Sequence, residues 1–167
     1  MQSASEGLSH PPEEERLLLS ELVAYAIDNA WSTDPDDAVS FDGTYVWVHI
    51  ADPASTVLPD SSIDIAARMR GATLYIPEGA ARMLSEDSLS DYALGLSNPS
   101  RALSFRLKLN EDASIEDCAV FKTLVSVKRL TYEEATLQKD SVALKPLFEI
   151  AKKNIARRLA SGAGKIQ

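Results

Sequence analysis

The stretch AIDNAWSTDPDDAVSF, residues 26–41, sets Asp28, Asp34, Asp36 and Asp37 between two short apolar runs. VAYAI (23–27) and AVSF (38–41) have strand composition, and Pro35 fixes φ in the segment that joins them. In a regular strand, adjacent side chains point to opposite faces, so Asp36 and Asp37 can serve one site only where the backbone forms a loop or bulge. Pro35 favours such an irregularity.

Carboxylates at this spacing, once brought within several ångströms, repel one another, and a partly buried set either takes up protons or recruits cations. A hard divalent ion suits them. Magnesium prefers oxygen ligands, retains several waters and needs one or two carboxylates per ion, so four aspartates suffice for two ions about 3.5–4 Å apart. That arrangement supports phosphodiester hydrolysis. Read alone, the cluster is explained equally well as a solvated Asp/Pro/Ser turn. An EF-hand loop fits poorly: counting from Asp34, Val39 takes the sixth position, where Gly is required, and Tyr45 takes the twelfth, where Glu is required. Nothing singles out the two carboxylates of a glycosidase.

Working outward, FDGTY (41–45) reads as a hairpin turn, with Asp42-Gly43 suited to positive φ, and it leads into the aromatic and β-branched run YVWVHIA (45–51). SSIDIAARMRG (61–71) predicts a helix of about ten residues, with a Ser N-cap, Asp64 in its first turn and Gly71 at its end. ATLYIP (72–77) follows as a short extended piece ended by Pro77. MLSEDSLSDYALGL (83–96) predicts a loop with one or two helical turns capped by Ser85. ALSFRLKL (102–109), the turn NEDAS and IEDCAVFKTLVSVKRL (115–130) predict a long antiparallel hairpin. Leu144, Leu147, Phe148, Ala151, Ile155 and Leu159 recur at helical spacing across 142–160, with Lys145, Lys152, Lys153, Arg157 and Arg158 on the remaining surface. PPEEERLLLSELVA (11–24) enters the ordered region as a short helix after the prolines. The expected architecture is α+β: a mixed, mainly antiparallel sheet with flanking helices, residues 14–167, behind a disordered tail at 1–13.

A length of 167 residues allows one domain with a genuine core, and 45% apolar with 25% charged residues is globular composition. The lone Cys118 excludes an intramolecular disulfide and any multi-cysteine zinc site, and it reads as a small apolar residue on a strand in a reducing compartment. No apolar run spans a bilayer, and the first residues lack the features of a signal peptide, so a cytoplasmic protein without membrane contact is expected. The net charge of −8 argues against a polyanionic partner, but its distribution does not. Residues 1–120 carry 7 basic and 21 acidic side chains, residues 121–167 carry 10 and 4, and a polyanion could be held at the basic end. Among single residues, Tyr75 reads by itself as a core aromatic, and His49 as an interior strand histidine with a backbone partner.

AIDNAWSTDPDDAVSF, VHIADPAS, AARMRGATLYIP, MLSEDSLSDYALGL and RLTYEEA, in this order, resemble the catalytic (RNB) domain of the ribonuclease II / ribonuclease R exoribonucleases from about Val23 to Gly162. The resemblance implies the N-terminal half of such a domain. It also implies a magnesium-dependent 3′-to-5′ exoribonuclease that hydrolyses single-stranded RNA to nucleoside 5′-monophosphates, with manganese as a possible substitute for the two magnesium ions. It assigns Asp28, Asp34, Asp36 and Asp37 to the metals, Asp36 to the position most critical for cleavage, and Tyr75 to clamping the terminal base. That assignment reverses the core reading of Tyr75. PASTV stands where the family has an aromatic, and Ala26 where it commonly has Thr. The family's Arg-rich segment and phosphate-binding Glu belong to its second half. The resemblance therefore implies a complementary segment or chain as a partner, and weak or no turnover without it. The rival expectation is a non-catalytic RNA-binding or protein-interaction module that keeps the fold.

Overall fold

The computed structural model describes residues 14–76 and 79–164, so the expected tail at 1–13 and the expected stop at Pro77 lie outside the described residues. In chain order the elements are β1 (Leu17–Asp28), β2 (Asp37–Phe41), β3 (Val46–Ala51), α1 (Ser62–Arg70), β4 (Leu74–Ile76) and β5 (Gly79–Ala81). They continue with α2 (Leu89–Tyr92), β6 (Ser100–Leu109), β7 (Ile115–Thr131), α3 (Tyr132–Leu137) and α4 (Lys145–Ala160). Strands β1-β2-β3-β6-β7 close into a barrel, every neighbouring pair antiparallel except β7 with β1, which run parallel. β4 and β5 form a separate two-stranded sheet.

The expected mainly antiparallel sheet with flanking helices is present, and the local predictions hold in large part. Asp42 Oδ1 accepts the amides of Thr44 and Tyr45 at 2.9 and 2.7 Å, and Gly43 takes φ +98°, completing the β2–β3 turn. The Ser61 hydroxyl accepts the Asp64 amide and Gly71 closes α1 in the left-handed conformation, as its sequence predicts. Ser85 precedes a 3-10 turn, Glu86–Ser88, but its side chain makes no capping bond; the Ser88 hydroxyl bonds the Ser85 carbonyl instead.

A further local expectation fails. LLLSELV is strand rather than helix: it lies parallel to β7 from Leu17↔Thr123 onward, with a register shift between Leu19 and Val23. Tertiary pairing there overrides helix-forming composition. The structure also holds a helix the sequence reading passed over, α3, opened by a capping box in which Thr131 and Glu134 each bond the other's backbone amide.

Five strands enclose too little space for large side chains, since even eight leave an interior only just filled. The inward positions are accordingly small: Ala24, Ala26, Ala38, Ala51 and Ala102 form the core cluster with Val125 and Leu94. Beside them lies a polar layer. His49, fully buried, bonds the Ser40 hydroxyl through Nε2 at 2.8 Å and the Ser104 hydroxyl through Nδ1 at 2.6 Å, and Ser104 meets the Thr123 hydroxyl at 2.6 Å. The expected interior histidine is therefore present, but its partners are hydroxyls rather than backbone. Leu94 is buried in this cluster and donates its amide to the Pro35 carbonyl in the aspartate loop. At the start of β1, buried Arg16 bonds Asp52 at 2.6 Å and also pairs with Glu14.

Outside the barrel, Leu144, Leu147 and Phe148 pack with Leu130, Ala135, Tyr25 and Ile27, fastening the start of α4 to the barrel wall. Its apolar stripe continues uncovered, with Ile155 and Leu159 exposed. Cys118 lies on β7 as expected, but on its exposed side. No helix among the described residues is long and apolar enough to cross a membrane.

Burial lowers the His49 pKa from 6.5 to about 4. Between these values the unfolded chain binds the proton and the folded chain does not, so stability is complete above pH 6.5 and declines as pH falls toward 4, by on the order of 3 kcal/mol. In urea denaturation across that window, His49→Gln should be less stable than wild type at neutral pH and should show a shallower pH dependence.

Candidate active site

Antiparallel pairing of Tyr25 with Val39 fixes the register of β1 on β2. Continued along the ladder, that register faces Asp28, the last residue of β1, toward Asp36, which immediately precedes β2. The intervening loop is held by its backbone: the Pro35 carbonyl accepts the Leu94 amide and the Asp36 carbonyl accepts the Ala51 amide, both at 2.8 Å. The expected irregularity around Pro35 is thus a loop, and β2 begins only at Asp37.

Asp28, Asp34 and Asp36 line one cavity of about 700 Å³, together with Tyr75, Arg82 and Tyr92. Asp37 is not on that wall. It lies close enough to feel it, because burial, then the charge of Asp36, then that of Asp28 push its carboxyl above the usual range. Tyr75, in the middle of β4 and paired with Ala80, is 66% exposed. The reading of Tyr75 as a core aromatic fails: its strand belongs to a hairpin whose described strand residues are all exposed, and its ring lines the same cavity as the aspartates.

Two cavity residues escaped the sequence reading. Arg82 donates through Nη1 to Asp34 Oδ2 and through Nη2 to Thr33 Oγ1 at 2.7 Å. Tyr92 is half-buried, and its hydroxyl pKa is raised by burial and by Asp34, an effect the Arg82 charge opposes. The sequence held one signal for Arg82, as one of only 7 basic residues in the first 120.

Three carboxylates share the wall with a single cation, Arg82, among its described residues. All are hard oxygen donors, and burial first, with the charges of Asp36 and Asp28 after it, raises the neighbouring Asp37 carboxyl. Such a donor set fits magnesium or manganese, which complete their coordination with water and phosphate. Among the described residues, no three His, Cys, Asp or Glu side chains converge tightly enough to hold an ion by themselves.

The profile of the RNB domain family matches residues 16–167. The chain belongs to the RNB domain family. An uncharacterized ribonuclease of Synechocystis is 32% identical over 165 residues, covering 91% of this chain and 25% of that protein. The RNB chain thus spans about a quarter of the length of that relative. Mycoplasma genitalium RNase R, solved with ribose-methylated single-stranded RNA, superposes with a TM-score of 0.76 at 22% identity, covering 90% of this chain and 26% of that one. Yeast Ssd1, described as a pseudonuclease, superposes with a TM-score of 0.72 at 21% identity, covering 87% and 20%. The RNB fold is therefore shared by proteins of differing activity.

Repulsion among the aspartates has a cost in stability that neutralisation removes. Asp28→Asn should lower the Asp37 carboxyl midpoint in an NMR titration and, at neutral pH without divalent metal, raise stability by roughly 0.5 kcal/mol in thermal unfolding.

Proposed function

We propose that this chain carries the metal site and base-holding surface of a 3′-to-5′ exoribonuclease that hydrolyses single-stranded RNA to nucleoside 5′-monophosphates. The observation that carries the reading is the placement of Asp28, Asp34, Asp36 and Tyr75 on one cavity. The fold shared with an RNase R solved on single-stranded RNA supports it.

In this reading Asp28, Asp34, Asp36 and Asp37 hold magnesium or manganese, with Asp36 the residue on which cleavage depends most. Bound there, the ions supply positive charge for the phosphate oxygens and acidify the attacking water. The exposed Tyr75 ring stacks on a base and so fixes the terminal nucleotide relative to the carboxylates. Cleavage consumes one water, which adds hydroxide to phosphorus and a proton to the leaving O3′, breaks the phosphorus–O3′ bond and leaves the phosphate on the 5′ oxygen of the released nucleotide. A partner segment or chain supplies further cationic groups for the phosphate, since Arg82 is the one cation on the described wall and is already paired with Asp34. The basic face of α4 offers a path for the rest of the strand. A cytoplasmic location is the accompanying proposal, resting on the reduced state expected for Cys118.

A second reading, a non-catalytic RNA-binding or protein-interaction module, is favoured by the lack of three convergent metal-holding side chains among the described residues. The pseudonuclease fold neighbour is consistent with it. A 5′-labelled single-stranded oligoribonucleotide separates the two, assayed with the chain alone and with full-length protein that contains it. Magnesium-dependent shortening from the 3′ end is expected with full-length protein, and Asp36→Asn should reduce it by roughly 10²-fold or more. Tyr75→Ala should weaken RNA binding by ~1–3 kcal/mol. Undiminished trimming by Asp36→Asn would overturn the assignment, and RNA binding indifferent to magnesium would select the second reading.

A further inference from the structure

Arg82 immediately follows β5, so it is carried by the same hairpin as Tyr75, yet its guanidinium reaches across the cavity to the aspartate loop. There it makes two bonds, one to Asp34 Oδ2 and one to Thr33 Oγ1 at 2.7 Å. The pair is well shielded, with 14% of the Arg82 side chain and 23% of the Asp34 side chain exposed. The Arg82 carbonyl in turn accepts Arg70 Nη1 from the last turn of α1, which anchors the backbone from which the side chain extends. Among the described residues β4 and β5 pair only with each other, so no strand ladder there attaches their hairpin to the barrel. The Arg82 bonds therefore tie the Tyr75 hairpin to the aspartate loop.

We propose that Arg82 is the resident counter-ion of Asp34, competing with a divalent cation for the same carboxylate, so that cation binding releases the arginine and loosens the hairpin bearing Tyr75. The proposal rests on the metal-site reading above. A carboxylate oxygen engaged by a guanidinium has its lone pairs committed, and the fixed positive charge repels an approaching ion. Without a counter-ion, three carboxylates on one wall would leave Asp34 repelled by its neighbours, and a guanidinium relieves this at the cost of ligand availability. If Arg82 instead served only to orient Asp34 for the ion, its removal would weaken binding, so the two roles predict opposite signs.

The test is manganese binding to the 167-residue chain, followed by the electron paramagnetic resonance signal of free Mn²⁺, for wild type, Arg82→Met, Arg82→Lys, Thr33→Val and Asp36→Asn. Arg82→Met is expected to bind at least about tenfold more tightly, equivalent to ~1.4 kcal/mol. Arg82→Lys, which cannot make the paired contact, should fall between it and wild type, and Asp36→Asn should lose binding. Thr33→Val removes one of the two Arg82 bonds without touching the hairpin and should tighten binding by a smaller factor, which keeps the test valid if Arg82→Met fails to fold. Magnesium should also change the emission of Trp31, which lies on the cavity wall and is 73% exposed, in wild type more than in Arg82→Met, where the tie is already broken. Unchanged or weaker manganese binding by both Arg82→Met and Thr33→Val, with Asp36→Asn still losing it, would overturn the counter-ion role while leaving the metal site intact. Failure of wild type and both variants to bind millimolar manganese would overturn the metal-site reading and this inference together.

Discussion

The parallel pairing of β1 with β7 is the constraint on which the other features depend, because it turns an antiparallel meander into a closed barrel of five strands. Closure removes the exposed sheet edges that would otherwise pair with another chain. It also narrows the interior, so that many inward positions are Ala, Ser or Thr, and the buried His49 is accommodated where hydroxyls of Ser40 and Ser104 satisfy both ring nitrogens. A barrel this tight has little freedom to shift register. The ends of its strands are therefore fixed points, and the aspartates sit at one of them.

Barrel rigidity and site electrostatics act against each other there. The β1–β2 register and the backbone bonds of Pro35 and Asp36 hold Asp28, Asp34 and Asp36 to one cavity. Burial, and then the negative charge so gathered, raises the Asp37 carboxyl, and Arg82 pairs with Asp34. Stored repulsion of this kind is what makes a fixed carboxylate set receptive to a hard cation. By contrast, Tyr75 stands exposed on a small hairpin that, among the described residues, has no ladder to the barrel.

Much of this was legible in the sequence wherever the cause is local. The Asp42-Gly43 turn, the caps of α1, the long β6–β7 hairpin and the helix after Leu144 each depend on a few neighbouring residues. The Thr131–Glu134 capping box was equally local and its signal was present, but it was absorbed into a longer motif instead of being read as a helix start. LLLSELV misled because its composition suits a helix, whereas its conformation is dictated by β7, about a hundred residues away. The exposure of Tyr75 and the partners of His49 were hidden for the same reason.

What the sequence by itself determined was the chemical content of the site: four aspartates at a spacing that a loop could gather, and the turns and caps that begin and end most elements. Only the tertiary structure decided which of those aspartates share a wall, that Asp37 is set aside from it, and that Arg82 reaches Asp34 across 48 residues of chain. Turns and caps form from contacts within one or two helical turns or a hairpin, so residue type specifies them directly. Register, closure and cross-cavity ion pairing are settled when distant segments exclude water together, and no short window of sequence contains both partners.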